Sequence, residues 1–257
     1  MTHPPQLILG VDTHKDVHVA VLLDRLGRYL AATSVGTTDA ANSELVAWTR
    51  RYGQVTTAGV EGTGSYGYRL AQHLSDHGIN EVAQSVAPQS RIVYVDNDPL
   101  VLVHARPLLT SSPEGATDYI EADLRDPGKI LDGAAATLDF TQPVALMLLG
   151  IVNFIVDLTQ AHQIVDRLLG ALASGSYLAM THPTTEVHGD EVTEAMRQWN
   201  ASGAAPICAR SRQELARFFD GLELLEPGVV SSSQWRPDPG GPEPVEVAEY
   251  CAVGRKP

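Results

Sequence analysis

Four acidic side chains sit where chemistry could be done. Asp12 closes the apolar run QLILGVD and Glu61 closes VTTAGVE. On neighbouring strands of one sheet, two such carboxylates present hard oxygen ligands to a shared point, as Mg²⁺ requires in phosphoryl-transfer sites. Asp96 ends RIVYVD, and Asp123 follows YIEA. In a doubly wound sheet, an acid ending the second strand accepts hydrogen bonds from ribose hydroxyls. An acid ending the third can accept one from an adenine amino group. Each of these residues also suits an ordinary strand-end turn or a helix cap. Gly62-x-Gly64-x-x-Gly67, directly after Glu61, has the spacing of a dinucleotide-binding loop, a pattern of low specificity taken alone. His162, His182 and His188 lack the spacing of a helical ligand pair, and His182-Pro183 suits a strand end near a substrate mouth.

Two textures of chain position these residues. Up to about residue 80 the order is three strands, a helix, a strand and a helix. QLILGVD, VHVAVLLD (17–24) and GRYLAATSVG (27–36), separated by short turns, predict an antiparallel meander. The next segment predicts a helix opened by Thr37, Thr38 or Asp39, with Ala41, Leu45 and Trp48 inward and Gly53 as its stop. VTTAGVE is a fourth strand, and YGYRLAQHLSDHG a helix ending at Gly78. Farther on, RIVYVDND (91–98), TDYIEADLRD and QPVALMLLGIV predict strands, the last apolar enough for the buried middle of a parallel sheet. Asp98-Pro99 opens a helix, AHQIVDRLLGAL is amphipathic, and SYLAMTH is a strand. Ser211-x-x-Glu214 is a capping box, and LELLEPGVV with EVAEYCAVGRKP predicts a closing strand pair. Strands alternating with helices make an open α/β sheet.

Composition narrows the function. The 257 residues, 44% hydrophobic and 19% charged, suffice for one large or two small globular domains. Cys208 and Cys251 form no CxxC pair, which points away from zinc and disulfides and towards a reducing cytoplasm. The N-terminal MTHPPQLILGVDTHKD lacks the apolar stretch of a signal peptide, and no apolar run reaches membrane-spanning length. Residues 1–80 carry six Lys/Arg and seven Asp/Glu, whereas residues 81–257 carry twelve and twenty-four. That acidic second part repels phosphate backbones, which favours a small-molecule partner there and leaves nucleic acid open only to the N-terminal part.

The motifs of the first part are shared with a known family. LGVDTHKDVHVAVLLDRLGRYL followed by AGVEGTGSYGYRLAQHL resembles the N-terminal domain of DEDD-type insertion-sequence transposases, over about residues 6–79. The resemblance implies an RNase H-like (RuvC-like) fold and a Mg²⁺-dependent catalytic site that includes Asp12 and Glu61. Asp12 matches a GVDxHK-like motif, while Glu61, Gly64, Tyr66 and Gly67 match an E-x-T/S-G-x-Y-G-like motif. The family's other two acidic residues and its C-terminal serine domain have no counterpart. The nearest string, TDYIEA with Asp118 and Glu121, fits the second resemblance better.

From residue 80 to 257 a different family takes over. RIVYVDNDPLVLVHARPLL, ADLRDP, PVALML, RSRQELARFFDGLELLEPGVV, WRPD and VGRKP resemble an actinobacterial family of S-adenosylmethionine-dependent methyltransferases, formerly of unknown function. This implies a class I, Rossmann-like methyltransferase sheet. Asp96 would bind the cofactor's ribose, Asp123 its adenine, and Gly150 would line the pocket floor. The first strand and glycine loop of such a sheet are missing, their place taken by transposase-like sequence. Methyltransferase loop glycines fall two, four and six residues after the strand-end acid. Those here fall one, three and six after Glu61, so GVEGTGSYG is a strand-to-helix turn and no substitute. The expected protein is thus a transposase-like fragment (1–79) joined to a methyltransferase-like domain (80–257), with cofactor binding and methyl transfer weakened or lost. A transposase-derived DNA-binding protein without a complete acidic tetrad, and a fusion relic without either activity, are the alternatives.

Overall fold

In a computed structural model, the described residues are 6–13, 16–24, 29–60, 70, 84, 87–98, 111, 113–237 and 243–257, with backbone alone at 6, 12, 13, 56, 57, 59 and 60. The chain divides into two compact units: Met1–Asp123 with Ala136–Leu138, and Leu124–Ala135 with Asp139–Pro257.

In the first unit, strands β1 (Gln6–Thr13), β2 (Val17–Asp24), β3 (Tyr29–Gly36) and β4 (Gln54–Val60) form a sheet in the order β3-β2-β1-β4. The meander is present as expected, and β4 joins it parallel to β1. Alternation sets the core: Leu7, Leu9, Val11, Ala20 and Leu22 turn inward, with Leu45 and Val46 in the same cluster. Burying each of the larger side chains contributes roughly 1.5–3 kcal/mol.

Helix α1 (Asp39–Thr49) starts where Thr38 Oγ1 accepts a hydrogen bond from the Ala41 N–H at 3.2 Å. Its inner face differs from the expected one. Asn42, Leu45, Val46 and Thr49 are buried, while Ala41 and Trp48 are half-buried. Two polar residues therefore complete an i, i+3, i+4, i+7 stripe that hydrophobicity alone does not reveal. Thr49 fits because its hydroxyl donates to Val46 O at 2.8 Å. The Asn42 side-chain amide is buried without a hydrogen bond.

The same unit holds a parallel pair, β5 (Arg91–Asp96) and β6 (Ala116–Glu121), in register from Arg91↔Ala116 to Asp96↔Glu121. Strand β5 stops at Asp96, two residues short of the expected end. Gly115 permits the entry to β6: an added Cβ would lie 2.6 Å from Pro88 O and Ser90 O. The helix expected after Asp98, the Gly62–Gly67 loop and the helix ending at Gly78 lie outside the described residues.

The second unit is built on β7 (Ala145–Leu149), β8 (Tyr177–Pro183), β9 (Glu223–Leu224), β10 (Val230–Ser231) and β11 (Glu249–Arg255). The order is β10-β11-β8-β7, with β9 also on β11; β7 and β8 are parallel, and β11 is antiparallel to β8. Strand β7 is a correction to the expectation. Its apolar run suits the middle of a sheet, but among the described residues it pairs only with β8, and Met147 and Leu149 are 61% and 51% exposed.

Four helices accompany this sheet. Helix α2 (Pro127–Ala134) is capped by Asp126 with Pro127 in its first turn, and α3 (Leu158–Gly170) by Asp157. The amphipathic face of α3 buries Ala161, Ile164, Val165, Leu168 and Leu169. Its C-terminal end is tied to the chain terminus, where Lys256 Nζ donates to Leu169 O and Leu172 O at 2.8 and 2.7 Å. Helix α4 (Gly189–Ala201) buries no residue. Helix α5 (Arg212–Arg217) opens on the expected Ser211/Glu214 capping box. Gly254 lets Phe219 press on β11, since an added Cβ would meet its ring at 2.8 Å. No described helix is long and apolar enough to cross a membrane.

Candidate functional site

The strand positions leading to Asp12 and Glu61 lie on the paired strands β1 and β4. Their parallel register pairs Val11 with Val60, the residues immediately before Asp12 and Glu61. Asp12 itself pairs with Val19 across the antiparallel side. The Asp12 side chain and all of Glu61 lie outside the described residues. Among the described residues no three His, Cys, Asp or Glu side chains cluster as metal ligands.

Asp96 and Asp123 stand at one end of the β5–β6 pair. Asp96 is the last residue of β5, paired with Glu121, and Asp123 lies two residues beyond it. The Ala122 N–H donates to Asp96 O at 3.0 Å, extending the ladder past β6. Asp96 Oδ1 accepts from the Asp98 N–H at 2.9 Å, which turns the chain out of the strand. This fixes one carboxylate oxygen and leaves Oδ2 without a hydrogen bond among the described residues. Carboxyl ends of parallel strands are where open α/β sheets bind ligands.

In the second unit Gly150 follows β7 directly. Its φ of +59° is left-handed, a conformation in which a side chain is strained, although an added Cβ would meet nothing within 4 Å. Its N–H reaches Thr181 O of β8 at 3.4 Å.

Beside this turn lies a buried cluster that sequence reasoning found only in part. His182, 1% exposed near the end of β8, donates from Nδ1 to Pro183 O at 2.9 Å and accepts at Nε2 from Arg210. Arg210, 4% exposed, also donates through Nη1 to Val152 O at 3.1 Å and through Nη2 to Ile155 O at 2.6 Å. Its guanidinium lies 5.7 Å from the centre of the Phe218 ring, which stacks on His162. Burial, helped by the neighbouring Arg210 charge, holds His182 down at about 4, against the pull of its bond to Pro183. Burial likewise lowers Arg210 and raises Cys208 from their ordinary values. Nothing in ICARSRQ marks Arg210, because its main partners are backbone carbonyls more than fifty residues away. The one available signal is a lone cation just before a capping box.

With this geometry in view, the family resolves. Residues 74–257 match the S-adenosyl methyltransferase family model. The chain belongs to the S-adenosyl methyltransferase family. A DUF574 family protein from Streptomyces avermitilis is 44% identical, over 74% of this chain and 80% of that one, with a TM-score of 0.64. A candidate methyltransferase from Thermobifida fusca is 36% identical, over 70% and 67%, with a TM-score of 0.60. Residues 9–92 match a DEDD-type transposase family model, and the two matches overlap at 74–92. No curated protein matches the chain.

His182 gives this cluster a pH signature. The folded protein keeps it neutral down to about pH 4, whereas the unfolded chain protonates near 6.5. Between these values the unfolded state binds more protons, so stability present above pH 6.5 is lost as pH falls towards 4. Urea unfolding at pH 7 and 4.5 will show a loss smaller by roughly 2 kcal/mol in His182→Gln than in wild type. Equal losses would contradict this role.

Proposed function

We propose that the protein binds S-adenosylmethionine through its methyltransferase-like part, with affinity and methyl transfer impaired by the absence of the family's opening strand and glycine loop. The observation that carries this is the placement of Asp96 and Asp123 at one end of the parallel β5–β6 pair, in a chain of the S-adenosyl methyltransferase family. The cofactor supplies an electrophilic methyl group on a sulfonium; the chain's residues hold and orient it. Asp96 Oδ2 is the acceptor for ribose hydroxyls and Asp123 for the adenine amino group. Impairment is supported by β7, which pairs with β8 alone among the described residues, and whose Met147 and Leu149 stand exposed on one face of the sheet. The methyl acceptor is a small molecule, in keeping with the acidic charge of residues 81–257. Both cysteines are free thiols, which supports a cytoplasmic setting.

A second reading is favoured by one observation, the Val11↔Val60 register that brings the strand positions before Asp12 and Glu61 side by side. On this reading the N-terminal unit binds DNA with Mg²⁺ held by Asp12 and Glu61, without completing recombination because the other two acids are missing.

Calorimetric titration of the full chain with S-adenosylmethionine should give saturable binding, weakened at least tenfold (about 1.4 kcal/mol) in Asp96→Ala. Absence of heat at roughly millimolar cofactor would rule the first reading out. For the second, a low-salt gel shift with duplex DNA should depend on Mg²⁺ and vanish in Asp12→Ala; no shift at all counts against it.

A further inference from the structure

The turn after β7 is held from outside. Its 3₁₀ segment, Val152–Phe154, has no side-chain cap. Three carbonyls of residues 152–155 are instead taken by one distant stretch of chain, Val152 O and Ile155 O by the Arg210 guanidinium and Asn153 O by the Cys208 N–H at 3.0 Å, while Phe154 O accepts from Arg125 Nη2 at 2.7 Å. Arg210 is itself anchored to the end of β8, where its own N–H donates to Pro183 O at 3.0 Å and its side chain bonds His182.

No carboxylate pairs with this buried guanidinium among the described residues. An apolar side chain would fill the same volume without the desolvation penalty of a charge. What the planar guanidinium provides is direction: two carbonyls three residues apart are fixed by a single rigid fork. Between them sits Asn153, 8% exposed, whose Oδ1 is buried without a hydrogen-bond partner. A buried acceptor left open on a turn at the carboxyl end of a sheet is a feature of ligand-binding segments.

We propose that Arg210 is a positioning residue of the methyltransferase site: without touching ligand, it fixes the turn 151–155 and so sets the geometry of Gly150 and Asn153. The proposal rests on the S-adenosylmethionine reading above. Arginine suits the site because Nη1 and Nη2 are separate donors held in one plane, which sets a fixed direction for Val152 O and Ile155 O that a freely rotating lysine nitrogen does not impose.

The test combines hydrogen exchange with calorimetry on the full chain, using S-adenosylhomocysteine as the probe and comparing wild type, Arg210→Met and Arg210→Lys. In Arg210→Met, exchange across 151–157 should quicken at least tenfold while α3 and β11 keep wild-type protection, and the probe should bind at least fivefold more weakly. Arg210→Lys should fall between the two, and it decides the matter if Arg210→Met does not fold. Wild-type exchange at 151–157 overturns the proposal. So does a rise spread equally through α3 and β11, or loosened exchange with unchanged probe affinity. If the wild type takes no probe, the S-adenosylmethionine reading fails, and the exchange pattern alone still decides whether Arg210 holds the turn.

Discussion

A strand in the middle of a parallel sheet needs a hydrogen-bonded neighbour along each edge, because its N–H and C=O groups point both ways and lose water on burial. The two parts of this chain meet that demand differently. In the N-terminal unit β1 has β2 on one side and β4 on the other, and its Leu7, Leu9 and Val11 are buried. In the C-terminal unit β7 carries a sequence suited to the same central role yet has β8 alone among the described residues. Strand β5 likewise pairs only with β6 among them. The methyltransferase resemblance implies an opening strand and glycine loop, whose glycine spacing the sequence here does not reproduce. Here the residues preceding the methyltransferase match belong to a transposase match, and the two matches overlap only at 74–92.

On the proposed reading, this constraint reconciles the acids assigned to the cofactor with the proposed loss of affinity. Asp96 ends β5 and Asp123 lies two residues beyond β6, and these two strands pair with each other. Gly150 and the Arg210 cluster depend on β7, β8 and the segment before α5, all retained. The part that is missing is the one whose backbone would approach the methionine portion of the cofactor. The N-terminal unit shows a complementary loss: its register juxtaposes the positions leading to Asp12 and Glu61, but a nuclease needs further carboxylates to fix the metal and align an attack.

Much of the fold was legible in the sequence because it rests on local signals. Alternating apolar residues gave β1 to β3, Thr38 is the cap of α1 as one of the three candidates, and Ser211 with Glu214 marks α5. Other elements were missed. Helix α4 was missed although Val192, Ala195, Met196 and Trp199 recur at i, i+3, i+4 and i+7, and the helix buries no residue. The inner face of α1 includes Asn42 and Thr49, which a hydrophobicity count assigns to solvent. The single partner of β7 among the described residues was hidden because strand composition records the sheet a sequence suits, not the neighbours it has. Of the site, the strand-end acids were visible by position. Arg210 was not, since a side chain that bonds distant carbonyls leaves no trace in local spacing.

The central claim is that a missing structural unit, not altered cofactor acids, limits this methyltransferase-like domain. It is tested most directly by replacing residues 1–79 with the opening segment of the Streptomyces avermitilis relative and titrating both proteins with S-adenosylmethionine. The chimera should bind at least tenfold more tightly than the native chain, about 1.4 kcal/mol. Equal affinity in the two proteins would contradict the account.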